Sequence, residues 1–496
     1  MGARTGTEFL EGLARSRPDV WVGSEKVADV LEHPAFSGAA RTVAALFDLQ
    51  HEAADDCLVP DPETGEPINA SHLIPRSRAD LEQRHRCMQR AAELTVGLMG
   101  RSPDYMNVTF AGFAARPDEW GANGNEEGAA NLIAYQKLLR RRDLSLTHTI
   151  IHPTIDKSRG DFPGPDVALH KVADTAHGIV VRGARILATL APFADELAVY
   201  PAHPLPDGAD AHALAFCIPM DTPGLKFICR DSCSTPRNLF DHPLSSRFDE
   251  QDAFVIFDDV EVPRDRVFIG GNRAVYNQVM LTSWFPNVMQ QTMIRAQTKL
   301  EFAWGLATRM TEAIGDFSPA TTQMLGELWS YVEFARAAIR AAEADAFEWV
   351  PGVWFPRGEP LAALRAALPT WFPRVTEIIT LVGSHNLLAA PTAAQLADPA
   401  LAPFVDQYLR GAGDVSATAR ARIFRLAWDF VGSALAARGV LYERFYLASG
   451  ARNYQVIHKI APKERATALV DRFLKEDLGV DDTAAMAERA AARALR

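Results

Sequence analysis

Two places in the chain hold residue types that could hold an anion and move a proton. One is Gly100-Arg101-Ser102-Pro103-Asp104-Tyr105, which follows a helical segment. Pro103 fixes its own φ and turns the chain, so Arg101 and Tyr105 are expected to project from an irregular loop. The other is His148, inside the run Leu146-Thr147-His148-Thr149-Ile150-Ile151. A guanidinium can hold negative charge on an oxygen, and an imidazole can take up a proton near neutral pH. Each residue also has a plainer reading. A loop arginine is more often a surface ion-pair residue, and a strand histidine more often a satisfied core residue. From the residues alone both readings stand.

Other chemical patterns fail. Gly121, Gly124 and Gly128 lack the spacing and the preceding strand of a dinucleotide-binding turn. No GxxxxGK[ST] and no GxSxG occurs. His51-Glu52-Ala53-Ala54-Asp55 approaches a zinc-protease motif, but Asp55 stands at the second histidine position, so it reads as a helix surface. His148 and His152 are four apart; on an extended strand at ~3.3 Å per residue they would sit ~13 Å apart, too far to share a metal. Cys229 and Cys233 form a CxxxC with no second pair, and the five cysteines read as ordinary thiols in a reducing compartment. No metal site is expected.

These residues must be positioned by elements, and the texture of the sequence gives three regions. Residues 1–147 read as mainly helical, and 77–98 opens on Ser77 as a candidate cap, with Asp80 three residues on. Residues 148–280 read as an antiparallel β-domain: 145–151, 178–189 as two short strands about a turn at Arg182-Gly183, 213–219 and 224–230 flanking a turn, and 253–257. Residues 281–496 read as a helical bundle with a C-terminal tail. Met293, Ala296, Leu300, Ala303, Ala307 and Met310 share one helix face, and Ile423, Ala427, Phe430 and Ala434 repeat the pattern. A third helix is expected over 326–346.

Composition sets the class. The 496 residues suggest roughly three domains. With 48% hydrophobic and 23% charged residues, disorder and fibrous classes are excluded. The net charge of −11 argues against nucleic acid as a partner. The start has no apolar core of a signal peptide, and no stretch reaches the ~18 apolar residues of a membrane span, so the cytoplasm is the expected site.

RSPDY, then LTHTIIHPTID, GIVVRGARILAT, PLSSRFDE and FDDVEVP, resemble the oxygenase component of the 4-hydroxyphenylacetate 3-monooxygenase family. The likeness runs from TGTEFLEGL and HPAF to AWDFVGSALAARGVLYERF, nearly the whole chain. It implies an α+β fold like that of acyl-CoA dehydrogenases, with helices, an antiparallel β-domain and a helical bundle in that order. The implied activity is ortho-hydroxylation of a para-substituted phenol to a catechol, with reduced FAD and O2, through a flavin C4a-hydroperoxide. A separate NAD(P)H flavin reductase would supply the FAD, and homotetramers are usual. The resemblance places Arg101, Tyr105 and His148 around the phenol, with His148 as base because an unperturbed imidazole titrates near operating pH. Ala202 and His203 would lie on a loop that closes over the substrate. The flavin contacts implied are His148, Thr149, Ile150, Thr154, Ile155, Asp156, Lys157, Thr189, Ser449, Gly450, Ala451 and Arg452. The loop at Ala202 and His203 departs from the family pattern, which leaves the substrate open: 4-hydroxyphenylacetate, a tyrosine-like phenol, or a carrier-tethered aromatic. A halophenol or nitrophenol monooxygenase on the same fold is the alternative. An acyl-CoA dehydrogenase-like flavoprotein and a non-catalytic flavin-binding protein are weaker alternatives.

Overall fold

The structure is a computed structural model that describes residues 2–156, 158, 164, 167–233, 238–282, 285–474, 488–489 and 491–492. The chain up to Gly450 forms one compact unit, and the residues from Ala451 form a second. Lys157, assigned to the flavin from the sequence, lies outside the described residues.

The N-terminal region is helical for local reasons that the sequence carries. Thr5 and Glu8 make a capping box on the Gly6–Arg15 helix. Ser77 caps the Arg78–Leu94 helix through the Asp80 N–H at 3.2 Å, as its position predicts. Further helices follow at Pro103–Ala114 and Glu126–Arg142.

Two sheets follow. The strands are β1 (Asp19–Val22), β2 (Glu25–Lys26), β3 (Leu58–Pro60), β4 (Pro67–Asn69), β5 (Leu146–Thr149), β6 (His170–Asp174), β7 (Gly178–Thr189), β8 (Glu196–Val199), β9 (Leu214–Pro219), β10 (Leu225–Cys229), β11 (Asp252–Pro263) and β12 (Val267–Gly270). The larger sheet has the order β2-β1-β10-β11-β7-β6 and the smaller β12-β9-β8-β5. Pairing is mostly antiparallel, but β1 with β10 and β5 with β8 run parallel. Both pairs are distant in sequence; β6 and β7 lie between β5 and β8 and supply the long connection a parallel pair needs.

Two local readings are corrected. Residues 178–189 are one strand, not two about a turn. Gly183 does take φ +121°, but equally long β11 pairs with β7 on both sides of it and keeps the strand continuous. The strands flanking the 220–223 turn belong to different sheets, β9 to the smaller and β10 to the larger.

The bundle comprises the helices Phe285–Ile314, Pro319–Ala344, Gly358–Gly383, Ala417–Val431 and Ala434–Phe445. All six residues of the stripe from Met293 to Met310 are fully buried. The second stripe is shorter than its spacing suggests. Ala427 and Phe430 are buried, but Ala434 opens the next helix, whose cap is Ser433. One hydrophobic core runs through helices and sheets from Phe9 to Leu447. In the second unit, the helix Lys463–Leu474 exposes Leu469, Val470, Phe473 and Leu474. Among the described residues no helix is long and apolar enough to cross a membrane.

Candidate active site

Pro103 opens a helix instead of an irregular loop, because at the first helical position its fixed φ fits and its missing N–H costs nothing. Tyr105 therefore stands in the first turn of that helix, and Arg101 on the chain just before it. His148 comes from β5. The three side chains meet. The His148 ring stacks on Tyr105 at 5.4 Å between centroids and on Tyr200 at 5.3 Å. The Arg101 guanidinium carbon lies 4.1 Å from the centre of the Tyr105 ring and 4.3 Å from that of Tyr446. Its Nη1 donates to the Tyr442 hydroxyl at 3.3 Å. Tyr442 and Tyr446 are stacked on each other at 4.5 Å.

The loop carrying Arg101 is held from beneath by a carboxylate. Buried Glu250 accepts the Gly100 and Arg101 backbone N–H groups at 3.2 and 3.0 Å. It also pairs with Arg438 at 2.7 Å, and Arg438 forks onto Asp252 at 2.8 and 3.0 Å. Asp252 in turn accepts the Thr189 hydroxyl at 2.7 Å. A side chain on Gly100 would overlap the Tyr442 hydroxyl, which is why glycine stands there.

Burial and charge set the protonation states. Burial first, and the Arg101 cation second, push the His148 imidazole well below its usual pKa. Burial works against the charge on Arg101, but the oxygens of Tyr105, Tyr442, Tyr446 and Tyr200 outweigh it, so Arg101 stays cationic. Burial raises Tyr105 to about 12, with Arg101 pulling the other way. The site thus holds a neutral imidazole and a fixed cation, with Tyr105, Tyr200 and Tyr442 un-ionised. This corrects the expectation that His148 titrates near operating pH; the low-dielectric surroundings and the neighbouring cation both disfavour imidazolium. His148 Nδ1 and Arg101 Nε are buried and have no hydrogen-bond partner among the described residues, so both remain available to a ligand.

Two further imidazoles share the depression. His152 is pushed down to about 3 by burial and then by Arg185, and His212 is lowered chiefly by burial. A folded-state pKa below the unfolded value of 6.5 gives stability that is complete above pH 6.5 and is lost as pH falls. Each of the three should cost up to ~1.4 kcal/mol per pH unit below that point. Thermal melts are therefore expected to drop between about pH 6.5 and 5, and a flat melting temperature there would contradict these assignments.

The flavin residues expected from the sequence fall into three groups. Thr149 and Ile150 continue the strand from His148; the Thr149 hydroxyl donates to the Ile186 carbonyl at 3.0 Å. Thr154, Ile155 and Asp156 follow as an exposed stretch, with Ile155 67% exposed. Thr189 sits just beyond a bulge in β7, where Leu187 at φ +65° is squeezed out opposite Phe254. Because its proton is given to ionised Asp252, the Thr189 hydroxyl offers only lone pairs, which suits a donating N–H such as that of a reduced flavin ring. With the open His148 and Arg101 nitrogens, these groups fit a flavin beside a phenol. Ser449 and Gly450 stand three and four residues past Tyr446, and Ala451 and Arg452 belong to the second unit. Ala202 and His203 are half-buried on the loop leaving Tyr200, which Asn277 clamps by hydrogen bonds to both backbone groups of Leu205. Among the described residues no cluster of three histidine, cysteine or acidic residues could hold a metal.

Sequence reasoning missed Tyr200, Tyr442, Tyr446, Glu250 and Arg438. Tyr442 and Tyr446 did leave a signal, an i,i+4 spacing that puts both rings on one helix face.

A site of polarised aromatic rings around one cation and one neutral imidazole, between sheets and bundle, defines a protein that handles a phenol. Comparison with known proteins gives the family. Residues 5–269 match the model for 4-hydroxyphenylacetate 3-hydroxylase N terminal, and residues 275–475 that for 4-hydroxyphenylacetate 3-hydroxylase C terminal. The chain belongs to this family. It is 39% identical over 482 residues to a 4-hydroxyphenylacetate 3-monooxygenase oxygenase component of Thermus thermophilus, covering 96% of this chain and 98% of that one. A 4-nitrophenol 2-monooxygenase oxygenase component of Rhodococcus is 33% identical, covering 89% and 85%. A Streptomyces globisporus monooxygenase named for a chlorinated hydroxyphenyl-propanoyl group on a peptidyl-carrier protein is 32% identical, covering 89% and 84%. The crystal structure of an oxygenase component complexed with FAD and 4-hydroxyphenylacetate superposes with a TM-score of 0.91 at 38% identity, covering 96% of this chain and 99% of that one. The α+β class, with its C-terminal helical region, is the one expected from the sequence.

Proposed function

We propose that this chain is the oxygenase component of a two-component flavin-dependent monooxygenase that adds one oxygen of O2 ortho to the hydroxyl of a para-substituted phenol. The observation that carries it is the pairing of neutral His148 with the carboxylate-free Arg101 cation, both with open nitrogens. Bound reduced FAD supplies the electrons and the activation of O2.

The residues supply the rest. A phenol hydroxyl placed between Arg101 and His148 gives its proton toward the imidazole, while the guanidinium holds the charge that develops on the oxygen. Before binding, Arg101 helps keep His148 neutral; an anion beside Arg101 offsets that repulsion, so proton uptake by His148 becomes easier when the phenolate forms. The electron-rich phenolate directs attack to the ring carbon beside its oxygen. Tyr105 and Tyr200, un-ionised and packed on the imidazole, fix its orientation and exclude water. The loop at Ala202 and His203, which follows Tyr200 directly, is placed to meet the para substituent.

A separate NAD(P)H reductase delivers the reduced flavin. Self-association, as in a homotetramer, is supported by exposed apolar residues, Leu441 and Phe445 on the Ala434–Phe445 helix and Phe404 and Tyr408 on the Ala402–Tyr408 helix. The test is rapid mixing. Protein and reduced FAD are combined without oxygen, then met with oxygenated buffer and a panel of para-substituted phenols. The expected result is a flavin transient that one phenol shortens, with a catechol as product. Flavin reoxidation at the rate seen in buffer, with no catechol, would overturn the proposal.

A further inference from the structure

Beside the helix that carries Tyr105, two cysteines distant in sequence meet. Gln83 and Arg90 flank Cys87 at four- and three-residue steps on the Arg78–Leu94 helix, so the three share a face. Gln83 Nε2 donates to the Asp55 and Asp56 carbonyls at 3.0 and 2.8 Å, and Arg90 Nε to the Asp56 carboxylate at 2.8 Å. The residue after this clasp is Cys57, at the end of the short Ala54–Cys57 helix. Leu58 then opens β3 and pairs with Asn69 of β4, whose Oδ1 accepts the Cys87 thiol at 3.2 Å. Both cysteines are buried in one small cluster with Ala70, and their sulfurs are close enough to share a proton.

The two thiols are unequal. The Cys87 thiol donates toward the Cys57 sulfur, which lowers the Cys57 pKa; the same bond, with burial, holds Cys87 well above the usual thiol range. Cys57 is thus the one to ionise. A cavity of about 30 Å3 adjoins the pair, room for about two molecules the size of water or one of hydrogen peroxide. Asp104 and Asn107 also line it, and each keeps one buried Oδ1 without a hydrogen-bond partner among the described residues. Two open acceptors suit a small molecule that donates an O–H at each end.

We propose that Cys57 and Cys87 are a peroxide-reactive dithiol whose closure to a disulfide weakens phenol binding at the neighbouring site. The Cys57 thiolate attacks one oxygen of hydrogen peroxide, the O–O bond breaks, and hydroxide leaves and takes up a proton as water. The Cys87 sulfur then attacks the Cys57 sulfenic acid: the S–S bond forms, the S–O bond breaks, and a second water leaves. Two thiols lose two hydrogens and two electrons, and one peroxide becomes two waters. Reduced flavin and O2 yield this peroxide whenever oxygen transfer fails for want of a phenol. That source and the effect on phenol rest on the phenol-hydroxylase reading above; the thiol chemistry does not. Where thiols are kept reduced, such a bond is transient and reports peroxide. The route to the site is a chain of hydrogen bonds. Closure removes the Cys87 proton from Asn69 Oδ1, which also accepts the Ser71 N–H at 3.0 Å and the Ser71 hydroxyl. Ser71 Oγ accepts Asn107 Nδ2 at 2.9 Å, and Asn107 stands on the same helix as Tyr105.

The experiment treats the full chain with hydrogen peroxide, digests it without reduction and maps the peptides by mass. Affinity for 4-hydroxyphenylacetate is measured before treatment, after it, and after dithiothreitol. The expected result is a peptide pair joined through Cys57 and Cys87, lighter by two hydrogens than the free peptides. Phenol affinity should weaken by about fivefold or more, the scale of an ordinary coupling between sites, and return with dithiothreitol. Cys57→Ser should keep the affinity of the reduced wild type and show neither effect; the wild-type map decides without it should that variant not fold. Cys57 carrying added oxygens with no link overturns the proposal, as does a link between Cys229 and Cys233 in its place. A complete link with unchanged phenol affinity also overturns it. If the reduced wild type binds no phenol, the functional reading fails separately, and the linked peptide alone decides for the pair.

Discussion

Replacing His148 by alanine is expected to lower hydroxylation by about 10²-fold or more, with a much smaller effect on FAD affinity. The reason lies in what the structure leaves that imidazole able to do. It is buried, in stacking contact with the Tyr105 and Tyr200 rings, and held neutral by its surroundings and by Arg101. A neutral imidazole next to a fixed cation has one chemical capacity, acceptance of a proton from a group whose anion the cation will hold. Loss of the ring leaves Arg101 to stabilise a phenolate that nothing nearby can generate. Two readouts separate this from a packing defect. Wild-type kcat/KM should not fall off at the ordinary histidine pKa, because the depressed imidazole stays unprotonated there. Added imidazole should recover part of the activity of the alanine variant. Equal losses of hydroxylation and FAD binding would instead make His148 a flavin contact.

Some of this was legible in the sequence because it was local. The Ser77 cap, the Met293 to Met310 stripe and the RSPDY element each declare themselves within a few residues. What was hidden depended on residues far apart in the chain. Tyr200, Tyr442 and Tyr446 become a cage for Arg101 and His148 only because β8 and the last bundle helix converge there, and a tyrosine carries no local mark of such a role. The shift of the His148 pKa was hidden for the same reason: the residue type gives the reference pKa, and only burial and the Arg101 contact give the shift. Gly183 showed the opposite failure. Its local signal for a turn was real, and the long pairing of β7 with β11 overrode it. Buried arginines that meet no carboxylate, such as Arg84 and Arg101, could not be told from the paired ones by sequence, since pairing is a tertiary property.

Glu250 is where fold and site are joined, and Glu250→Gln should show it. The carboxylate takes two backbone N–H groups from the Arg101 loop on one side and Arg438 on the other, fully buried. Glutamine keeps the size but brings an NH2 group where an acceptor is needed and removes the charge that Arg438 faces. Breaking one side of a buried pair typically costs ~3–5 kcal/mol. Asp252 remains on Arg438 and should hold the loss toward the lower end. For a chain of this size ~3 kcal/mol is a large part of a typical stability of roughly 5–15 kcal/mol. The loss should be visible as a lower denaturant midpoint with an unchanged slope. Because the freed N–H groups belong to Gly100 and Arg101, the damage should also reach the site: phenol affinity should fall more than flavin affinity. A variant as stable as wild type would mean that Asp252 alone satisfies Arg438. A stability loss with unaltered phenol affinity would mean that the Tyr105, Tyr442 and Tyr446 cage fixes Arg101 without help from beneath.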